Sequence, residues 1–146
     1  MKHIKQFENF FDETELKKLN KHLIDIIKEF GYENKGFLDN GWETEFDNNS
    51  KYIFKIKLNI NNFDADLTNK NLFIQLEIDA VLIDTFAQNL IEYLTQIKGI
   101  KILREDRGVG VNYTIFKIFD EDVDKIINQI TKEDLEQFIQ SNKFNI

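Results

Sequence analysis

Apolar positions in this chain recur with two different periods, and each change of period marks a new element. Leu16, Leu19, Leu23, Ile26, Ile27 and Phe30 fall three and four residues apart, with lysines and acids between them. That is the spacing of an amphipathic helix. Asp12 with Glu15 reads as its capping box and Gly31 as its stop. Tyr32 to Ser50 is polar and punctuated by glycine, with a short strand expected over Trp42 to Phe46.

The period then changes to two. Over Lys51 to Ile60, Tyr52, Phe54, Ile56, Leu58 and Ile60 fall on one side and Lys51, Lys55, Lys57 and Asn59 on the other, as in a half-buried strand. Leu72 to Ile83 repeats the design, with Leu72, Ile74, Leu76, Ile78 and Ala80 inward and Gln75, Glu77 and Asp79 outward. Antiparallel pairing of these two strands would set Lys55 and Lys57 against Glu77 and Asp79 on the exposed side.

Thr85-Phe-Ala-Gln88 reads as a second capping box. It opens a helix bearing Phe86, Leu90, Leu94 and Ile97 and closed by Gly99. Ile100 to Leu103 and Val109 to Phe119 are expected as strands around the turn segment Arg104 to Gly108, because Asp and Gly favour tight turns. Asp120 and Thr131 are positioned to cap two closing helices, one bearing Val123, Ile126, Ile127 and Ile130, the other Leu135, Phe138 and Ile139. Strands with one apolar side predict an α+β fold: a mostly antiparallel sheet of four to five strands with helices packed on one face. Two successive strand-strand-helix units, 51–98 and 100–130, share an order of elements but not residues. The expected organisation is a single domain, 13–146, behind a leader segment, 1–12.

Composition narrows the chemistry. With 146 residues, 42% hydrophobic and 14 phenylalanines, the chain has the material for a core. It has no cysteine, which removes disulfides, zinc–thiolate sites and thiol nucleophiles together and fits a reducing compartment. No apolar run has the length of a signal peptide or a membrane span, so a cytoplasmic protein without a membrane partner is expected. The net charge of -7 lies wholly beyond the first 30 residues, where acids and lysines balance. Such an excess repels phosphate backbones, and no duplex nucleic-acid partner is expected. Its plainest role is solubility. Residue types with AT-rich codons (Phe, Tyr, Met, Ile, Asn and Lys) make up half of the chain. Asparagine-rich patches such as Asn59, Asn61 and Asn62 then follow from coding bias and are not read as sites.

Several constellations were weighed for catalysis or metal binding. Asp64-Ala-Asp66-Leu-Thr68 has the residues of an aspartyl nucleophile motif, but Asn61-Asn-Phe63 separates it from its strand. As a calcium loop it has Asn69 where glycine is required and Gln75 where the closing glutamate belongs. Asp120, Glu121, Asp122 and Asp124 are what a helix dipole favours in a first turn. His3 and His22 have no second ligand at helical metal spacing. Gly108-Val-Gly110 lies between strands with no helix N-terminus after it, so it is no phosphate loop. The expectation is a protein without enzymatic activity, metal or cofactor. Contact residues are sought where interface-forming types meet turns. Arg104 and Arg107, the only arginines, flank one turn with Gly108, and Trp42, the only tryptophan, sits beside Gly41. These four, Arg104, Arg107, Gly108 and Trp42, are the candidate binding residues.

The opening Met1-Lys-His-Ile-Lys-Gln-Phe-Glu-Asn-Phe-Phe-Asp-Glu13 resembles the short leaders of small accessory and internal head proteins of large tailed phages of the T-even type. Met1, Lys2, Phe7 and Phe10 match their Met-Lys start and spaced aromatics. Phe11-Asp-Glu13 stands where that family has an aliphatic residue two before the glutamate. The resemblance implies a small phage protein, head-packaged or accessory, of a kind that includes binders of host defence enzymes. The expected function is therefore that of an acidic phage protein that inhibits or redirects a host protein by surface contact in the host cytoplasm, with a homo-oligomer open. The alternatives are a virion component, a pocket protein that sequesters a small nucleotide signal, and a minimal metal-dependent hydrolase.

Overall fold

The computed structural model describes residues 13–37, 43–47, 53–61, 71–81, 83–119 and 122–144. The leader, Asp12, the Gly41-Trp42 loop, Lys51, the Asp64 to Thr68 segment and Asp120 lie outside them. Among the described residues ten elements follow one another: α1 (Glu13–Glu29), β1 (Glu33–Phe37), β2 (Glu43–Asp47), β3 (Ile53–Asn61), β4 (Asn71–Asp79), α2 (Thr85–Leu94), β5 (Ile100–Arg107), β6 (Val111–Ile118), α3 (Val123–Gln129) and α4 (Lys132–Phe144). The fold is α+β. All neighbouring strands are antiparallel and form one six-stranded sheet in the order β1-β2-β3-β4-β6-β5. That is one strand more than expected. β1 is the addition, and its sequence Glu-Asn-Lys-Gly-Phe lacks the alternation that identifies a half-buried strand.

Period two does the sorting. Phe46, Phe54, Ile56, Leu58, Leu72, Ile74, Leu76, Ile78, Phe116 and Ile118 point to one face of the sheet. There they meet Leu16, Leu19, Leu23, Ile26 and Ile27 of α1, Ala87, Leu90 and Leu94 of α2, Val123 and Ile126 of α3 and Leu135 of α4. Each fully buried aliphatic side chain in such a layer contributes about 1.5–3 kcal/mol relative to exposure. The opposite face carries charged and polar residues in register. One row runs Glu45–Lys55–Glu77–Tyr113–Asp106 across five strands. Lys55 therefore stands opposite Glu77 as the alternation predicts. Lys57 stands opposite Gln75, however, and Asp79 opposite Val111, because antiparallel partners run in opposite directions: with Lys55 at Glu77, two residues onward to Lys57 means two residues back to Gln75. Phe73 and Ile115 are also on this face, yet both are buried, Phe73 to 1% exposure.

Local capping explains where the helices begin. The N-cap of α2 is Asp84 and not Thr85: its carboxylate accepts from the Ala87 N–H at 3.0 Å and, through its other oxygen, from the Tyr32 hydroxyl at 2.6 Å. A carboxylate that serves two donors fixes the start one residue earlier than the hydroxyl would. In the same way α3 is capped by Asp122 rather than Asp120, its carboxylate accepting from Asp124 N–H at 3.0 Å. Thr131 acts as expected and accepts from Asp134 N–H at 3.1 Å. The Gln129 side chain ties α3 to the end of the α2 segment, accepting from Lys98 N–H at 2.8 Å and donating to Lys98 O at 3.0 Å.

Candidate functional site

β5 is an edge strand among the described residues, and its last four residues are those expected to form a turn. Arg104, Glu105, Asp106 and Arg107 instead pair with Ile115, Thr114, Tyr113 and Asn112. The reversal is confined to Val109 and Gly110, closed by Gly108 N–H donating to Val111 O at 2.8 Å. Gly110 supplies the bend at φ 85°, a conformation glycine enters without a Cβ clash. Asp106, taken as a turn former, lies two residues from Arg104 on the same side of the strand, and the two make an ion pair at 2.7 Å. Pairing satisfies these backbones through Arg107, which is why composition alone placed the turn too early.

The two arginines consequently part company. Side chains three apart on a strand face opposite sides, so Arg104 is on the face away from the helices and Arg107 on the helix side. Arg104 is engaged by Asp106 in an exposed pair of the kind worth at most about 1 kcal/mol. Arg107 borders a cleft of ≈ 200 Å³ between α2 and the ends of β4, β5 and β6. Ile78, Ile83 and Ile91 supply apolar surface there, and Gln88, Glu92 and Glu105 stand beside Arg107. Gly108 sits at the closing pair of the hairpin, where an added Cβ would lie 3.1 Å from Val111 O. Trp42 lies outside the described residues, so nothing joins it to this group.

The feature missed by residue-type reasoning is apolar. Among the described residues the exposed large hydrophobic side chains are Val81, Ile83, Ile102, Leu103, Val109 and Phe119. They are distributed around the β5–β6 hairpin, and three of them meet at its tip. Val109 is at the hairpin tip. Val81 is next to it, since Ala80 N–H donates to Gly110 O at 3.0 Å. Ile83 lines the cleft, Ile102 and Leu103 lie on the β5 edge, and Phe119 follows β6 at its far end. Lys101 and Lys117 place their ammonium groups 5.5 and 5.1 Å from the Phe119 ring centre, so that exposed ring is framed by cations. A sequence signal for part of this existed. The doublet Ile102-Leu103 breaks the alternation of β5, and the structure has a β-bulge there, between Ile102 and Arg104.

Electrostatics on the face away from the helices centre on Glu77. Burial pushes its carboxyl above the ordinary value of 4.5, and Glu43 adds to this through a hydrogen bond and like charge, against the opposing charge of Lys55. Among the described residues no group of three or more His, Asp or Glu side chains is gathered as a metal site would be, and no helix is long and apolar enough to cross a membrane. The chain matches no protein-family model, no curated protein and no solved structure.

Proposed function

We propose that this protein works by binding another protein through the β5–β6 margin, without catalysis, and that it is a phage accessory protein whose partner is a host protein it inhibits or redirects. The observation that carries the binding reading is the group of exposed apolar side chains at the hairpin tip, Val109, Val81 and Ile83. Soluble folds scatter single exposed hydrophobes, whereas a contiguous group edged by charge marks an interaction surface. The hairpin tip and the neighbouring β4–α2 loop, with Val109, Val81 and Ile83 beside Arg107, present apolar side chains beside an arginine, as anchoring residues of interfaces do. Support for the phage and host part comes from the leader and the AT-rich coding alone. At the cleft beside Arg107 the nucleotide-pocket alternative fits less well. The cleft is smaller than the roughly 300 Å³ at which ligand pockets begin, and Glu92 and Glu105 beside Arg107 oppose a phosphate.

Affinity capture from host lysate, followed by calorimetry on the purified partner, tests the reading. Val109→Asp, Val81→Asp and Arg107→Ala should each weaken binding by at least about 1 kcal/mol if they are hot spots, whereas Arg104→Ala should change it little. Unchanged affinity in the first three removes the margin as the contact surface.

A further inference from the structure

We propose that β5 pairs with β5 of a second copy across a two-fold axis, with Ile102 opposite Glu105 of the other copy, so that two six-stranded sheets join into one. This goes beyond the reading above and concerns a different part of the margin.

The backbone of β5 sets the register. Gly108 N–H bonds Val111 O, and Phe119 N–H bonds Gly99 O at 2.6 Å. Ladder bonds in an antiparallel pair alternate, so counting inward from both ends puts the groups of Lys101, Arg104 and Asp106 toward β6. Those of Ile102, Glu105 and Arg107 are left pointing out of the sheet. The β-bulge between Ile102 and Arg104 makes one interval irregular: Ile102 and Glu105 are three residues apart instead of two. A regular strand, which offers outward groups at every second residue, cannot match both.

A second copy can. In an antiparallel two-fold arrangement the same three-residue interval lies opposite itself when Ile102 faces Glu105 of the partner copy and Glu105 faces Ile102. This register also brings Ile100 opposite Arg107 and keeps helix-side residues opposite helix-side residues. On the other face it sets Lys101 opposite Asp106 twice, which places opposite charges on facing residues, an arrangement that favours pairing. It brings the exposed Ile102 and Leu103 (38% and 49% exposed) to the axis. Edge strands are commonly protected by charges and bulges against indiscriminate pairing. Here the same bulge admits its own copy, and a symmetric interface requires that kind of self-complementarity.

The purified protein should sediment at twice the 17.4 kDa of one chain as concentration rises from micromolar toward millimolar. Glu105→Pro removes an outward N–H without touching the β6 ladder, and should yield a folded monomer by circular dichroism. If that variant fails to fold, a charge exchange serves instead. Lys101→Glu and Asp106→Lys chains should each be monomeric alone and form a dimer when mixed. The chain has no cysteine of its own, so Lys101→Cys/Asp106→Cys gives an unambiguous trap. Facing residues at that kind of position lie about 4.5 Å apart, within disulfide reach. The two positions within one strand are roughly 16 Å apart. Mild oxidation should produce a covalent dimer, and Lys101→Cys/Glu105→Cys should not. A monomer at every concentration, a dimer that the first cysteine pair fails to trap, or a monomer that captures only a host strand on this edge overturns the proposal. The readout is the purified protein alone, so it is separate from partner capture through Val81 and Val109.

Discussion

The Tyr32 hydroxyl donates to the buried carboxylate of Asp84 at 2.6 Å, and the same carboxylate caps α2 through Ala87 N–H. One side chain thereby links the segment between α1 and β1 to the start of α2. Asp84→Ala removes the cap and the buried carboxylate that accepts from the Tyr32 hydroxyl, for a loss of about 2–4 kcal/mol. Asp84→Asn keeps one acceptor oxygen for Ala87 N–H and offers an NH2 that can donate to the tyrosine oxygen instead, so it should lose less. Urea unfolding of the two variants checks this, and equal losses would mean that the hydrogen bonds are not the source.

Thr44 is fully buried on β2 opposite Ile56, and its hydroxyl has no hydrogen-bond partner among the described residues. A buried polar group left unpaired lowers stability. Thr44→Val keeps the shape and removes the hydroxyl, so it should raise stability by about 1 kcal/mol in thermal or chemical unfolding. A loss would show that the hydroxyl is satisfied in solution.

Glu77 should make stability depend on pH with an unusual sign. Its folded carboxyl titrates above the ordinary value of 4.5, so the folded state holds this proton more tightly than the unfolded chain does. The stabilisation from this group is present at low pH and is lost as pH rises from about 4.5 through the raised folded value. Glu77→Gln cannot lose that proton. Relative to the parent it should be more stable at neutral pH, with the difference shrinking on acidification. Melting temperatures of both proteins across that range decide it, and a constant difference would count against the raised titration.

Gly110 adopts φ 85° with open space around a notional Cβ, so its substitution isolates backbone strain from crowding. Gly110→Ala should cost about 1 kcal/mol. Because the tip carries Val109, the same change should reduce partner capture by more than the stability loss explains. Capture equal to the parent at full folding would detach the tip from binding.

Much of the architecture was legible because it rests on local periodicity. Leu16 to Ile27 declare a helix, and Phe54 to Leu58 and Leu72 to Ile78 declare half-buried strands, since a one-sided environment leaves its period in the sequence. β1 was not legible, because a short strand at the edge of the sheet is held by its neighbour's backbone, which any sequence can supply. The candidate site was half legible. Arg104, Arg107 and Gly108 were singled out by type and do lie at the β5–β6 hairpin. Their placement in a turn was wrong, because Asp106 belongs to a ladder that its own residue type does not favour.

Antiparallel sheet with one helical layer, acidic surface and paired strand-strand-helix units all follow from residue order, since alternation, charge and caps act within a few positions of themselves. Other features depend on residues far apart in sequence. Asp84 displaces Thr85 as a cap because Tyr32 is brought to it from 52 positions away. Arg104 and Arg107 separate onto opposite faces because β6 holds β5 extended as far as Arg107. The exposed group at the hairpin tip exists only because the pairing of β4 with β6 brings Val81 to Val109. Cross-strand pairing is a relation between distant segments, and no single segment encodes which neighbour it will meet.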